Sequence, residues 1–327
     1  MQPLSRRIRR ITFWVMLFVF VGGTPILIGY SKGYRLDDAL SLTSTGGIYI
    51  NSDVSNASVY LDNTFVDRSG AFLKNTLIQD LAPNKSYVVR MQKAGYRSWV
   101  KRLPVLPNLV TEARVLMLPE EFDWTPIRAT STVAVNSSLV SATTTQSVAN
   151  PEYVDMLDYF ENDKDQFAVG VATTTYEFVH GQRVATTTTT FEIQFPTWLE
   201  GVASSTHLAD KTMVRERDGI VAWLEDGNLH TIWARVNDAP PYYLCTSACT
   251  DKLVIDWQEP ILRYEFYPNR SDVVVLSTQR GIYAVELDNR SQRNIQPIME
   301  GSGYDFRIFS DGTIGLFDGS VFQEASL

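Results

Sequence analysis

Two cysteines, Cys245 and Cys249 in Tyr-Leu-Cys-Thr-Ser-Ala-Cys-Thr, are the only thiols in the chain. A zinc centre would need further thiol or imidazole ligands, and only His230 is nearby in sequence, so no metal is expected. A lone close pair is better suited to a disulfide that closes a small loop, provided that this segment sits in oxidising surroundings. The three histidines, His180, His207 and His230, are scattered, with neither an HExxH nor a GxSxG arrangement around them. They read as surface or turn residues. Carboxylates are plentiful, but spacing alone nominates no acid and base pair. Asp311-Gly312 and Asp318-Gly319 read as hairpin turns, because the further oxygen ligands of an EF-type calcium loop are missing. No glycine-rich phosphate loop occurs, so neither a catalytic residue nor a cofactor is expected. The sequons at Asn56, Asn84, Asn136, Asn269 and Asn289 matter only in a glycosylating host.

Whether the cysteines meet oxidising surroundings depends on the N-terminus. Ile11 to Tyr30 is an uncharged run of 20 residues, which as a helix spans roughly 30 Å of hydrocarbon. Arg6, Arg7, Arg9 and Arg10 precede it, and positive charge beside a membrane segment tends to stay cytoplasmic. The expectation is a cytoplasmic basic tail over 1–10, a signal anchor in the lipid bilayer over 11–31 and an extracytoplasmic bulk on a single-pass membrane protein. A cleaved signal peptide is the rival. It is opposed by the length of the run and by the lack of an A-x-A-like site in SKGYRLDDALSL, although Gly22, Gly23 and Pro25 would weaken the helix. The formal net charge of −8 includes those arginines, so the rest is more acidic still, and nucleic acid is excluded as a partner for want of a basic surface.

Composition fits a folded cargo. With 44% hydrophobic and 20% charged residues in a chain of 327, wholesale disorder is excluded and two or three compact units are expected. After a linker over 32–45, residues 46–118 alternate apolar and polar positions between turn residues, the mark of antiparallel strands with one buried face. Ile48 and Ile50 begin one strand, and Ala57, Val59 and Leu61 another. Asp62-Asn63 and Leu81-Ala-Pro-Asn84 read as turns, because Asn tolerates left-handed backbone. Tyr60, Tyr96 and Trp99 are candidates for a binding face, against the commoner role of aromatics at strand spacing, which is to fill a core.

Those same residues carry a resemblance. Ala57-Ser-Val-Tyr-Leu-Asp62, Leu81-Ala-Pro-Asn-Lys-Ser-Tyr87 and Lys93-Ala-Gly-Tyr96 with Trp99 resemble a PEGA domain. The resemblance implies a small β-sandwich of bacterial or archaeal surface proteins and brings no catalytic residues. It departs from the family where the naming tetrapeptide is reduced to Ala57, and where Asn63 and Asn84 replace the usual glycines.

The segment from 119 to 327 reads as β-rich. In VATTTYEFVHGQRVATTTTTFEI two Thr tracts flank His180-Gly181-Gln182-Arg183, which predicts a hairpin. A low-complexity linker is the competing reading. Residues 151–160 carry Val154, Leu157 and Phe160 at helical spacing, which predicts a short helix. Three later units each read as strand, Gly-containing turn and strand, beginning at Gly219, Asp272 and Gly312. Their spacing, and Tyr264-Glu-Phe-Tyr-Pro-Asn-Arg-Ser-Asp272, are similar to WD40-like and TolB-like β-propellers, which implies a propeller-like domain, with an incomplete or open β-sheet domain as the alternative.

The fold class expected is therefore mainly β: one transmembrane helix, a PEGA-like β-sandwich and a propeller-like domain. The expected function is an envelope binding or scaffold protein for a cell-wall polymer or an envelope protein. The alternatives are an anchored hydrolase or lyase built from blade loops, and an accessory subunit of a membrane complex.

Overall fold

A computed structural model describes residues 6–31, 33–36, 42–126, 168–179, 182–193, 211–235, 237–244, 252–309, 311–318 and 321–327. The protein is mainly β, with one long N-terminal helix and several small open sheets. Two compact units divide at Pro119, with the short segment Arg290–Gln292 grouping with the first.

Helix α1 (Arg6–Ser31) opens the first unit, and none of its side chains is buried. It starts five residues before the apolar run, because the arginines continue the helical backbone. Hydrocarbon offers backbone groups no water, so a segment that crosses it must satisfy them within the protein, as a helix or a closed barrel does. Two hydroxyls inside the helix obey the same rule: Thr12 donates to the Ile8 carbonyl at 3.0 Å and Thr24 to that of Phe20 at 2.6 Å.

Residues 32–45 are not a plain linker. They contain β1 (Tyr34–Leu36) and β2 (Leu42–Ser44), an antiparallel pair. Next come β3 (Gly46–Ser52), β4 (Ser58–Leu61), β5 (Thr64–Arg68), β6 (Asn75–Leu81), β7 (Lys85–Gln92), β8 (Trp99–Val105) and β9 (Val110–Val115). They form two sheets, ordered β6-β3-β9 and β5-β4-β7-β8. Both sheets send side chains into one core: Ile48, Ile50, Ala113 and Val115 from the first, Val59, Val89, Met91, Trp99 and Leu103 from the second. Alternation does this, since successive strand side chains point to opposite faces. The unit is thus a β-sandwich. One pairing departs from the antiparallel expectation, because β9 runs parallel to β3, with Gly47 opposite Val110 and Ser52 opposite Val115. The chain leaves β8 in one sheet and enters β9 in the other, so the two strands are not a hairpin.

The expected turns are in place. Asp62 and Asn63 join β4 to β5 with φ of 46° and 68°, and Asn84 precedes β7 with φ of 58°. Asn tolerates the left-handed backbone that both positions adopt.

The second unit begins with β10 (Thr125–Pro126). The Thr tracts form β11 (Ala168–Val179) and β12 (Gln182–Ile193), paired in register from Ala168 opposite Ile193 to Val179 opposite Gln182. Gln182 and Arg183, expected in the turn, already belong to the second strand. The helix expected over 151–160 lies outside the described residues.

Four strands follow as a meander: β13 (Thr212–Arg217), β14 (Ile220–Glu225), β15 (Asn228–Trp233) and β16 (Lys252–Ile255). A second meander contains β17 (Arg263–Phe266), β18 (Val273–Thr278), β19 (Gly281–Glu286) and β20 (Ile295–Glu300). The last strands are β21 (Asp305–Ile308), β22 (Thr313–Phe317) and β23 (Phe322–Ser326), and their sheet is ordered β10-β23-β22-β21. The unit's first described strand therefore completes its last sheet, with Thr125 opposite Glu324 and Pro126 opposite Gln323.

Strand β18 is buried along its whole length, as expected of a continuous Val-rich run inside a sheet. The first two meanders share a core of Ile220, Leu229, Tyr264, Phe266, Val274 and Leu276, among others. Polar bonds link the sheets. The Tyr264 hydroxyl donates to the Met213 carbonyl at 2.8 Å, Arg217 donates to the Tyr267 carbonyl at 2.9 Å, and Arg263 pairs with Asp305 at 2.8 Å.

Candidate functional site

Among the described residues, the aromatics nominated by the sequence do not converge. Trp99 is fully buried in the sandwich core. Tyr60 sits one position along from inward-facing Val59, so it points to the other side of its sheet; it is half-buried, with Phe65 edge-on at 5.8 Å and the Arg90 guanidinium 4.9 Å above its ring. Tyr96 packs against the core near β8, with the Lys93 ammonium 5.0 Å from its ring centroid. One aromatic fills the interior, one packs against it and one lies on the outer side of its sheet, so the three share no single face.

The cysteines Cys245 and Cys249 lie outside the described residues, as do His180 and His207. His230 stacks on Trp223 across the β14–β15 pair, with ring centroids 5.7 Å apart and planes 18° from parallel. Cross-strand neighbours on one face account for that contact. Asp311 accepts hydrogen bonds from the Thr313 backbone at 2.9 Å and hydroxyl at 2.7 Å, and Asp318 accepts from the Val321 backbone at 2.7 Å. Both carboxylates therefore work as turn caps. The bonds to Thr313 hold Asp311 below the usual carboxylate range.

Two local arrangements carried no readable signal in the sequence. The first stitches the SDVSNA segment. Buried Ser69 donates its hydroxyl to the Val54 carbonyl at 2.8 Å and accepts from the Ala57 amide at 2.9 Å. Ser52 accepts from the Val54 amide at 3.1 Å. Two short hydroxyls thus satisfy backbone groups of a partly buried irregular loop, beside the backbone bonds of Asn56 and Ala57 with Ser69.

The second joins the helix to the sandwich. Gly33, at φ 82°, donates to the Tyr30 carbonyl at 3.1 Å. Its own carbonyl accepts from both the amide and the hydroxyl of Thr45, each at 2.8 Å, and the Thr45 carbonyl accepts from Asn108 at 2.9 Å. Helix end, β3 entry and the β8–β9 turn are bonded in series. A cavity of about 370 Å³ opens among them, lined by Tyr30, Ser31, Gly46, Leu77, Asn108 and Leu109, with others. Gly46 is required there, because a Cβ would run into the Leu106 carbonyl and the Val105 side chain.

Helix α1 is long and apolar enough to cross a membrane, a property compatible with a single-pass anchor or with a signal sequence. Among the described residues no cluster of three or more His, Cys, Asp or Glu is placed to hold a metal ion. Compared with protein-family models and with curated proteins, the chain matches none.

Proposed function

We propose that this protein is a membrane-anchored, extracytoplasmic binding or scaffold protein of the cell envelope. Helix α1 anchors it with the N-terminus inside, a PEGA-like sandwich stands next to the bilayer, and a propeller-like unit engages a wall polymer or an envelope protein. The observation that carries the reading is the joint after α1: a wholly exposed apolar helix leads through Gly33 and Thr45 directly into a folded β-sandwich. A covering for such a helix is needed, and hydrocarbon supplies it without any further protein surface.

The strand order of the sandwich and the left-handed Asn63 and Asn84 support the PEGA-like reading. Successive four-stranded antiparallel sheets, the last of them completed by β10, support the propeller-like one, since tying the first strand to the last sheet is how a ring of blades avoids open ends. The binding class is favoured because Asp311 and Asp318, the carboxylates of the Asp-Gly pairs, are engaged in turns and His230 in ring stacking.

The test uses the full chain in nanodiscs, incubated with insoluble peptidoglycan and, separately, with a chemical cross-linker in intact membranes. Cosedimentation with the polymer, or a reproducible cross-link to one envelope protein, is expected. Hydrolytic turnover of the polymer, lost on a single side-chain change, would replace this reading with an enzymatic one.

A further inference from the structure

We infer that the β8–β9 turn of the sandwich is a second, shallow membrane contact, which dips into the interfacial region of the same bilayer that holds α1. The proposal rests on the anchor reading above.

Residues 103–111, LPVLPNLVT, carry no charge. Within them Leu106, Leu109 and Val110 are 47%, 56% and 58% exposed, and Leu77 on β6, across β3 from β9, is 45% exposed. Apolar side chains gathered at one spot call for a covering surface. Position names it. Leu109, Val110 and Leu77 line the same cavity as Tyr30 and Ser31, the last turn of α1, which in a spanning helix lies at the outer boundary of the hydrocarbon. The bonds from Tyr30 through Gly33 and Thr45 to Asn108 hold the turn there. Among the described residues Asp80 is the one charged residue that lines the cavity, and Lys85 stands at the start of β7.

Strand β3 provides an internal contrast. Its first residues adjoin the patch, with Gly47 opposite Val110, and its far end adjoins β6, with Asn51 opposite Asn75. Just beyond Asn75 lie Phe72 and Leu73, 97% and 76% exposed. From Gly47 to Asn51 the strand separates the two apolar spots by about 13 Å at roughly 3.3 Å per residue. Only the spot next to the helix exit is at membrane depth, so burial of apolar surface in the headgroup and acyl boundary is available to Leu106, Leu109 and Val110 and not to Phe72.

The test places a photo-reactive phenylalanine analogue singly at Phe20 in α1, at Leu109 and at Phe72 in the full chain. Each chain is reconstituted in nanodiscs of phosphatidylcholine and phosphatidylglycerol and illuminated, and lipid adducts are counted by mass spectrometry. Adducts at Phe20 and Leu109, with at least a fivefold lower yield at Phe72, are expected. Adducts at Phe20 but none at Leu109 would overturn the inference while leaving the anchor standing, and none at Phe20 would remove the anchor and the inference together. Equal yields at Leu109 and Phe72 would overturn it as well. In the unsubstituted chain, amide exchange over 106–110 should be slower in nanodiscs than in amphipol, and equal rates would contradict the contact without any variant.

Discussion

Replacing Trp99 with alanine should strongly destabilise the sandwich while leaving the second unit intact, whereas replacing Tyr60 should do little. Trp99 is wholly enclosed by both sheets, among Ile48, Val59, Met91 and Leu103. Truncating a large aromatic in such a place costs about 3–5 kcal/mol, from lost transfer free energy and the cavity left behind. A domain of this size has roughly 5–15 kcal/mol of stability in all, so Trp99→Ala removes a large part of it. Its melting transition should fall by more than about 10 °C. Tyr60 is half-buried on the outer side, and its edge contact with Phe65 and the Arg90 guanidinium above it are worth about 1 kcal/mol together. The assay is hydrogen exchange by mass spectrometry on the full chain in nanodiscs, across a urea series, followed in peptides from β7 and β8 with peptides from β18 as the internal reference. A Trp99→Ala chain whose β7 and β8 midpoints match the parent, or a Tyr60→Ala chain with the larger loss, would refute the assignment of Trp99 to the core.

Other outcomes follow from single contacts. Ser69→Ala leaves the Val54 carbonyl and Ala57 amide without their hydroxyl partner in a buried loop, and should cost about 1–3 kcal/mol in the same urea series, with Ser69→Thr recovering part of it. Gly281 has φ of 148°, and a Cβ there would strike the Met299 carbonyl; Gly281→Ala should therefore speed exchange in β19 and β20 and leave β7 and β8 unchanged. The hydrogen bond from Lys211, and then that from Trp223, lower the Glu225 carboxyl below its usual range. A carboxyl depressed in the folded state stabilises above its unfolded value of about 4.3, and that contribution is lost as pH falls through the folded value. Acid unfolding of the second unit below about pH 4.3 should then be less steep in Glu225→Gln, while at pH 7 the variant should be the less stable chain.

What the sequence made legible was local. Alternation located β3, β4, β7 and β8, Thr tracts bounded by aromatic residues located β11 and β12, and Asp-Asn or Asp-Gly pairs located the turns, because each depends on neighbours within a few residues. Asp226 and Gly227 between β14 and β15 are both left-handed, as a two-residue hairpin turn requires. What stayed hidden was the choice of partners. Nothing in Val110–Val115 says that it runs parallel to β3, and nothing in Thr125-Pro126 points to Gln323 and Glu324 at the other end of the chain. Trp99 is another example: its spacing with Leu103 and Val105 fits an exposed stripe as well as a buried one, and only the second sheet above it decides. Lys101 shares that inward phase and is itself buried, against what a binary pattern would assign. The segment 32–45 read as a linker because a three-residue pair of strands leaves almost no periodicity.

The account stands on the membrane position of α1 and the side on which the sandwich lies. The direct measurement is protease protection on intact cells making the full chain with a C-terminal tag, followed by the mass of the surviving N-terminal fragment. External protease should remove the tag and leave a membrane-bound fragment that begins at the N-terminus and includes Arg6–Ser31. A tag protected until the cells are lysed, or a mature chain that begins after Tyr30 and leaves the membrane with the soluble fraction, would contradict it.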